Sequence, residues 1–204
     1  MTENFFDKYE LYTDEESIYC YPDTIVLKNK FNIKDYNDLK EAEADIVSAK
    51  LFELEQFAIK GDFDKKHLYE IHKFLFEDLY DFAGKTRKED ISKGNTKFCV
   101  HFYIEDQLDC LFEKINKKKK EVGENKNDKI VFLTYVMAEL NIIHPFREGN
   151  GRTIREFIKE YAEKLGLRVE WNKISKEDLL NAMIDSVSDT YNLKNSLMKI
   201  ITLK

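Results

Sequence analysis

The run His144-Pro145-Phe146-Arg147-Glu148-Gly149-Asn150-Gly151-Arg152-Thr153-Ile154-Arg155 concentrates reactive side chains as no other stretch of the chain does. An imidazole at position 144 can accept a proton from an attacking hydroxyl near neutral pH. Pro145 disfavours the α region for the residue before it, so a helix should stop there and leave the His144 ring at the mouth of a loop. Gly149 and Gly151 permit backbone geometries that turn successive N–H groups toward an anion. A helix that begins at once adds unsatisfied donors and the positive end of its dipole. Arg152 and Arg155 stand three residues apart and share a helix face, while Ile154, Phe157, Ile158, Tyr161 and Leu165 hold the other side in the core. Glu148 offers a hard oxygen ligand suited to Mg²⁺ beside phosphates. A base, an anion cradle and two guanidiniums can hold a polyphosphate and stabilise charge that develops in a transition state. The chemistry is phosphoryl or nucleotidyl transfer. The bland alternative, a Pro/Gly helix connector with a buried histidine, suits a lone His-Pro better than this constellation.

The elements that must position this segment are helices. Seven glycines and two prolines in 204 residues are about 4%, against a usual ~12%, too few for the turns of a sandwich or barrel. The fold class is all-α: about seven helices around a central pair that flanks the loop, with a small β-hairpin flap. Residues 1–34 read as irregular, with a turn at Tyr21-Pro22-Asp23. Asp35 is the N-cap of a helix near 36–60, with Leu39, Ala42, Ile46, Ala49 and Phe52 at helical spacing and Gly61 as its end. A second helix over about 64–80 turns Leu68, Ile71, His72, Leu75 and Leu79 inward. Between 81 and 103 the pattern becomes β-friendly at Thr96-Lys97-Phe98-Cys99-Val100, and a hairpin is expected within about 87–103. Further helices follow near 104–120, 128–143, 150–165, 175–187 and 190–201. The lysine run 117–120 reads as a solvated loop.

Composition excludes several classes. A net charge of −6 argues against general affinity for nucleic acid or anionic membranes. The apolar stretch 130–138 is too short to span a bilayer, and the first residues have no signal-peptide pattern. Three cysteines without a CxxC pair suit a reducing cytoplasm. Gly84-Lys85-Thr86 fails as a phosphate loop because position 79 is Leu rather than Gly. His67 and His72 lie five apart, off the usual metal spacing.

The segment 144–155 resembles the signature of Fic-domain proteins, HPFx[D/E]GN[G/K]RxxR, and matches every specified position. Tyr21-Pro22 with Leu27-Lys28-Asn29-Lys30, then Phe82-Ala83-Gly84-Lys85-Thr86-Arg87, and Trp171 with the helix after it are also Fic-like, so the resemblance covers 1–204 as a single domain. Many relatives carry Trp where this chain has Phe82. The resemblance implies transfer of AMP from ATP to a Tyr, Ser or Thr hydroxyl of a target protein. His144 would be the general base and Glu148 would bind Mg²⁺. Gly149, Asn150 and Gly151 would form the phosphate cradle, and Arg152 and Arg155 would grip the β- and γ-phosphates. Phe146 would anchor the loop in the core. Asn95, Thr96, Lys97 and Phe98 of the flap would contact the nucleotide, His67 and Leu68 would border the adenine, and the flap would pair with the target backbone. The family's inhibitory pattern, [S/T]xxxE[G/N], is missing: Glu124-Asn125 and Glu148-Gly149 have Lys120 and His144 at the required position, and Glu3 has too few residues before it. That absence resembles stand-alone bacterial toxins silenced by a small antitoxin whose glutamate faces Arg155, with type II topoisomerase ATPase subunits as the implied target. Rival readings are another nucleotide donor, a kinase-type reaction, which Gly151 disfavours, and a silent interaction module, which the intact His144 disfavours.

Overall fold

The computed structural model describes residues 10–11, 17–94 and 96–204. Among these, seven α-helices and five short strands alternate in the order β1 (Glu10–Leu11), α1 (Tyr36–Gln56), α2 (Lys65–Phe76), β2 (Ile91–Lys93), β3 (Thr96–Lys97), α3 (Ile104–Lys119), α4 (Lys126–Ile143), α5 (Asn150–Lys164), β4 (Leu167–Val169), α6 (Lys176–Asp185), α7 (Tyr191–Ile200) and β5 (Ile201–Leu203). The all-α fold with a hairpin is therefore as the sequence predicts. No helix among the described residues is long and apolar enough to cross a membrane.

The centre is α4, apolar on nearly every side. Ile130, Phe132, Leu133, Val136, Met137, Leu140 and Ile143 are all buried, as befits a helix wrapped by others. Helix α5 packs along it with Ile154, Phe157, Ile158 and Tyr161 inward. The loop between the two therefore hangs from the best-buried part of the molecule. N-caps fall where short polar side chains stand. Asp35 accepts from the N–H groups of Asn37 and Asp38, Asp64 from that of His67, Asn125 from that of Asp128 and Ser175 from that of Asp178.

The lysine run 117–120, expected as a loop, forms the last turn of α3 up to Lys119, and three further expectations about elements need correction. Helix α1 stops at Gln56, not Gly61, and its inward stripe is Leu39, Val47 and Leu54, with Ala49 exposed and Phe52 67% exposed. Beyond Leu54 it has no further apolar face to bury, and burial rather than propensity sustains a helix in water. Gly61 instead lets the chain pass His67, whose Cγ would lie 2.4 Å from an added Cβ. Helix α2 ends at Phe76, whose carbonyl accepts from both Leu79 and Tyr80 (3.0 and 2.9 Å), although Leu79 is buried as predicted. The first 34 residues are not all irregular, because β1 pairs with β2 in the register Glu10↔Ser92 and Leu11↔Ile91.

The predicted hairpin is present as β2 and β3, with Ser92↔Lys97 and Lys93↔Thr96 opposed and Gly94 at φ 56° in its turn. A second ribbon, β4 with β5, ties the end of α7 to the end of α5 through Leu167↔Leu203 and Val169↔Ile201.

The hairpin is fastened to the end of α4 by one buried side chain. Arg87, 2% exposed, donates from Nε to the His144 carbonyl (2.9 Å), from Nη1 to that of Glu89 (2.7 Å), and from Nη2 to those of Cys99 and Ile143. Its own N–H donates to the Pro145 carbonyl at 2.9 Å, and the Asp90 carboxylate lies 3.7 Å from Nη1. The last carbonyls of a helix have no partner within it, and a cation there also meets the negative end of the dipole. Replacing Arg87 with Met should lower unfolding free energy by about 3 kcal/mol or more, because several buried carbonyls lose their donor at once. A urea denaturation midpoint unchanged from wild type would exclude this fastening role.

Candidate active site

The loop 144–149 starts with a residue in an uncommon conformation. His144 closes α4 at φ 50°, ψ 62°, in the left-handed region, consistent with the helix stop expected before Pro145. A non-glycine residue is held there only when its surroundings fix it. Arg87 does so from the carbonyl side, and Nδ1 of the ring lies 3.0 Å from the Asn141 carbonyl. A carbonyl can only accept, so Nδ1 carries the proton and the lone pair is on Nε2. The ring stacks on Phe98 of the hairpin, centroids 3.7 Å apart and planes 15° from parallel. Burial first, then the charges of Arg87 and Lys93, push the imidazole pKa down to about 3. His144 is neutral at physiological pH, the form a general base requires.

Phe146 anchors the loop as predicted. It is fully buried, stacked on His72 at 3.8 Å and edge-on to Tyr69 at 5.5 Å. His72 is a positioning group that sequence reasoning left as plain core: its Nδ1 accepts from the Gly84 N–H (2.8 Å), and its Nε2–H donates to the Glu148 carbonyl (3.0 Å). Burial lowers its pKa to about 3 as well. Gly149 has φ 79°, and a Cβ there would stand 2.2 Å from Phe76 Cζ, so no other residue fits without displacing that ring.

The signature polar groups divide into two sets. Asn150, expected in the cradle, spends its side chain on the loop: Oδ1 accepts from Phe146 N–H (2.9 Å), and Nδ2 donates to Phe146 carbonyl (2.7 Å). Only its backbone, at the first turn of α5, can face an anion. Arg147 is likewise internal, donating to Glu89 at 2.6 Å. The Glu148 carboxylate instead lies at the helix N-terminus, accepting from Gly149 N–H (2.8 Å) and from Arg152 Nη2 (3.3 Å). Arg152 also meets Glu43 of α1 at 2.5 Å and lies over the Phe76 ring. Burial raises the Glu43 pKa, and the Glu148 charge adds to it. Arg155 folds back so that Nη1 is 3.3 Å from the Cβ position of Gly151. Burial and the Arg152 charge lower its pKa, and among the described residues no carboxylate pairs with it. An uncompensated, half-buried guanidinium beside a helix N-terminus suits an anion.

Comparison with known proteins decides the family. The chain is 35% identical over 178 residues to the probable protein adenylyltransferase y4lH of Sinorhizobium fredii, covering 87% of this chain and 91% of that protein. The Fic/DOC family profile matches residues 62–162. The chain belongs to the Fic/DOC family. It is also 37% identical to the protein adenylyltransferase VbhT of Bartonella schoenbuchensis over 92% of its own length, which spans only 39% of that relative. Among solved structures, it is similar to the BepC protein of Bartonella tribocorum with bound AMPPNP (TM-score 0.82, 26% identity, 91% of this chain and 97% of that one). The ADP-bound N-terminal Fic domain of a Bartonella quintana protein is equally near (TM-score 0.83, 25% identity, 91% and 95% covered).

Of the signature residues, Glu148, Arg152 and Arg155 stand at the α5 N-terminus and His144 at the other end of the loop. The two residues expected to border the adenine are buried. His67 and Leu68 are 1% and 0% exposed, and His67 Nε2 lies 3.0 Å from Glu160, with its ring edge-on to Phe63. At 1.5 Å rise per residue, Glu160 is about 15 Å along α5 from the cradle, so both residues belong to the core. Of the flap residues, Phe98 reaches the site as a platform under His144, Thr96 is half-buried, and Lys97 is exposed on β3. Asn95 lies outside the described residues.

The imidazoles of His72 and His144 give stability a sign with pH. They titrate near 3 in the fold and near 6.5 when unfolded, so the unfolded chain binds more protons between those values. Stability should be complete above about pH 6.5 and fall below it, by about 2 kcal/mol per histidine at pH 5. Urea midpoints at pH 7 and pH 5 check this; equal midpoints would mean that the rings accept protons without unfolding.

Proposed function

We propose that this chain transfers AMP from Mg·ATP to a Tyr, Ser or Thr hydroxyl of another protein. The observation that carries the reading is a neutral imidazole, lone pair on Nε2, at one end of a loop whose other end opens a helix N-terminus flanked by Arg152 and Arg155. The Nε2 lone pair takes the proton of the target hydroxyl as its oxygen attacks the α-phosphorus. The bond from that phosphorus to the bridging oxygen breaks, and pyrophosphate leaves with the electron pair. Backbone N–H groups of the cradle with Arg152 and Arg155 hold the phosphates in line and balance the leaving charge.

A metal ion fits the donor set. Among the described residues no cluster of three metal-ligating side chains exists, but Mg²⁺ commonly takes one carboxylate together with substrate phosphates. Glu148, 24% exposed at the cradle, is that carboxylate. When bound, the ion would neutralise phosphate charge. In this reading the hairpin of a single Fic domain aligns the target by strand addition. The domain is the toxin of a cytoplasmic pair: a small partner protein inserts a glutamate opposite Arg155, where no carboxylate of the described residues competes. Type II topoisomerase ATPase subunits are the target that the family resemblance supports.

Incubating the chain with cell lysate and labelled ATP, GTP or UTP tests this by the mass added to protein. An added AMP supports the reading, an added phosphate makes it a kinase, and another nucleotide changes the donor. His144→Ala should lower transfer at least ~10²-fold with ATP affinity retained, and EDTA should abolish it until Mg²⁺ is restored. Wild-type turnover by the alanine variant would remove His144 as the base.

A further inference from the structure

The signature loop does not orient Arg152 by itself. Glu43, in the middle of α1, places Oε1 2.5 Å from Arg152 Nη2 across more than a hundred residues of sequence. Its other oxygen accepts from the Tyr80 hydroxyl. Tyr80 is 1% exposed and stacked on Phe82 at 4.6 Å, so it offers a fixed point. The guanidinium face lies 4.8 Å above the Phe76 centroid, the same ring that closes on Gly149. One face and one nitrogen of Arg152 are therefore set by α1, α2 and the turn that follows α2.

Two carboxylates share Arg152 Nη2, and they are not equivalent. Glu148 is the more distant, at 3.3 Å, and also accepts from the cradle N–H of Gly149. Among the described residues Glu43 makes no hydrogen bond to the cradle backbone, and it is bound from behind by Tyr80. An arriving phosphate would displace Glu148 from the donors and leave Glu43 where it is. A guanidinium held on one edge keeps its remaining donors aimed, which lowers the ordering cost of binding.

We propose that Glu43, fixed by Tyr80, is a positioning residue that aims Arg152 at the phosphate beyond the α-phosphate of the bound nucleotide. This rests on the nucleotide-transfer reading of the site. It assigns Glu43 a part in recognising the length of the phosphate chain rather than in the chemistry at the α-phosphorus.

The test is calorimetric titration of ATP, ADP and AMP, each with Mg²⁺, into wild type, Glu43→Ala, Glu43→Gln and Tyr80→Phe, with thermal unfolding of each. Glu43→Ala should weaken ATP and ADP about tenfold or more, the effect of one charge-assisted contact, and AMP by less than about twofold. Glu43→Gln should fall between, and Tyr80→Phe should follow in the same direction with a smaller loss. Equal weakening of all three nucleotides with a lowered unfolding temperature would make Glu43 merely structural. Tighter ATP binding or faster transfer would make it a brake, and unchanged affinities would give it no part; each overturns the proposal. If Glu43→Ala does not fold, the Gln and Phe variants decide by the same ATP-to-AMP comparison. A wild-type chain that binds none of the three overturns the transfer reading itself, and this inference with it.

Discussion

The catalytic loop depends on the burial of one guanidinium. Arg87 reaches carbonyls on three separate stretches of chain: the end of α4, the approach to the hairpin and the exit from it. Those carbonyls would otherwise be desolvated without donors, a cost of about 1–3 kcal/mol each. A histidine in the left-handed region cannot hold that conformation alone. With Arg87 on its carbonyl, Asn141 on its Nδ1 and Phe98 under its ring, it has no room to relax. The same three contacts fix the tautomer, the ring plane and the side from which a proton can be taken.

Around that anchor the charges are arranged to want an anion. Arg152 is held by two carboxylates, whereas Arg155 has none among the described residues. The free donors of a helix N-terminus lie between them. Glu148 occupies part of this space, so it has two possible partners, the cradle or a cation brought in with phosphates. A single carboxylate is enough for Mg²⁺ only when the substrate supplies the remaining oxygens, so in the proposed reaction metal and nucleotide would bind together, without a dedicated cage.

Much of this was legible in the sequence, because local chemistry dictated it. His-Pro stops a helix, Gly149 needs its positive φ, and the α4 and α5 apolar patterns have no other use than burial. The inward residues of the second helix also read correctly, since they keep one phase, although the helix ends at Phe76, short of the expected 80. Helix α1 did not, because Glu43 shares its buried stripe with Leu39 and Val47; counting only apolar types shifted the face by about a residue and put Phe52 inside. The roles of Arg87 and His72 were not readable for a related reason. Both act on carbonyls of residues far along the chain, and no spacing encodes a long-range contact to a backbone group. His67, which the family resemblance set beside the adenine, is buried against the Phe63 ring with a glutamate three turns down α5 on its Nε2, contacts that no spacing in the sequence announces.

The hairpin is stitched to the base rather than merely near it. Cys99 donates its N–H to the Ile142 carbonyl at 3.1 Å, gives its carbonyl to Arg87, and follows directly the residue whose ring lies under His144. Any strand that pairs with the hairpin is thereby registered against the imidazole through a handful of short, buried contacts. Strands have a side-chain period of two, so a slip of one residue would present the opposite face of the incoming chain. A hydroxyl two positions away would be displaced by nearly 7 Å. In the proposed reaction, stiffness between Phe98, Arg87 and His144 would convert a backbone pairing, which carries no side-chain information, into selection of one hydroxyl.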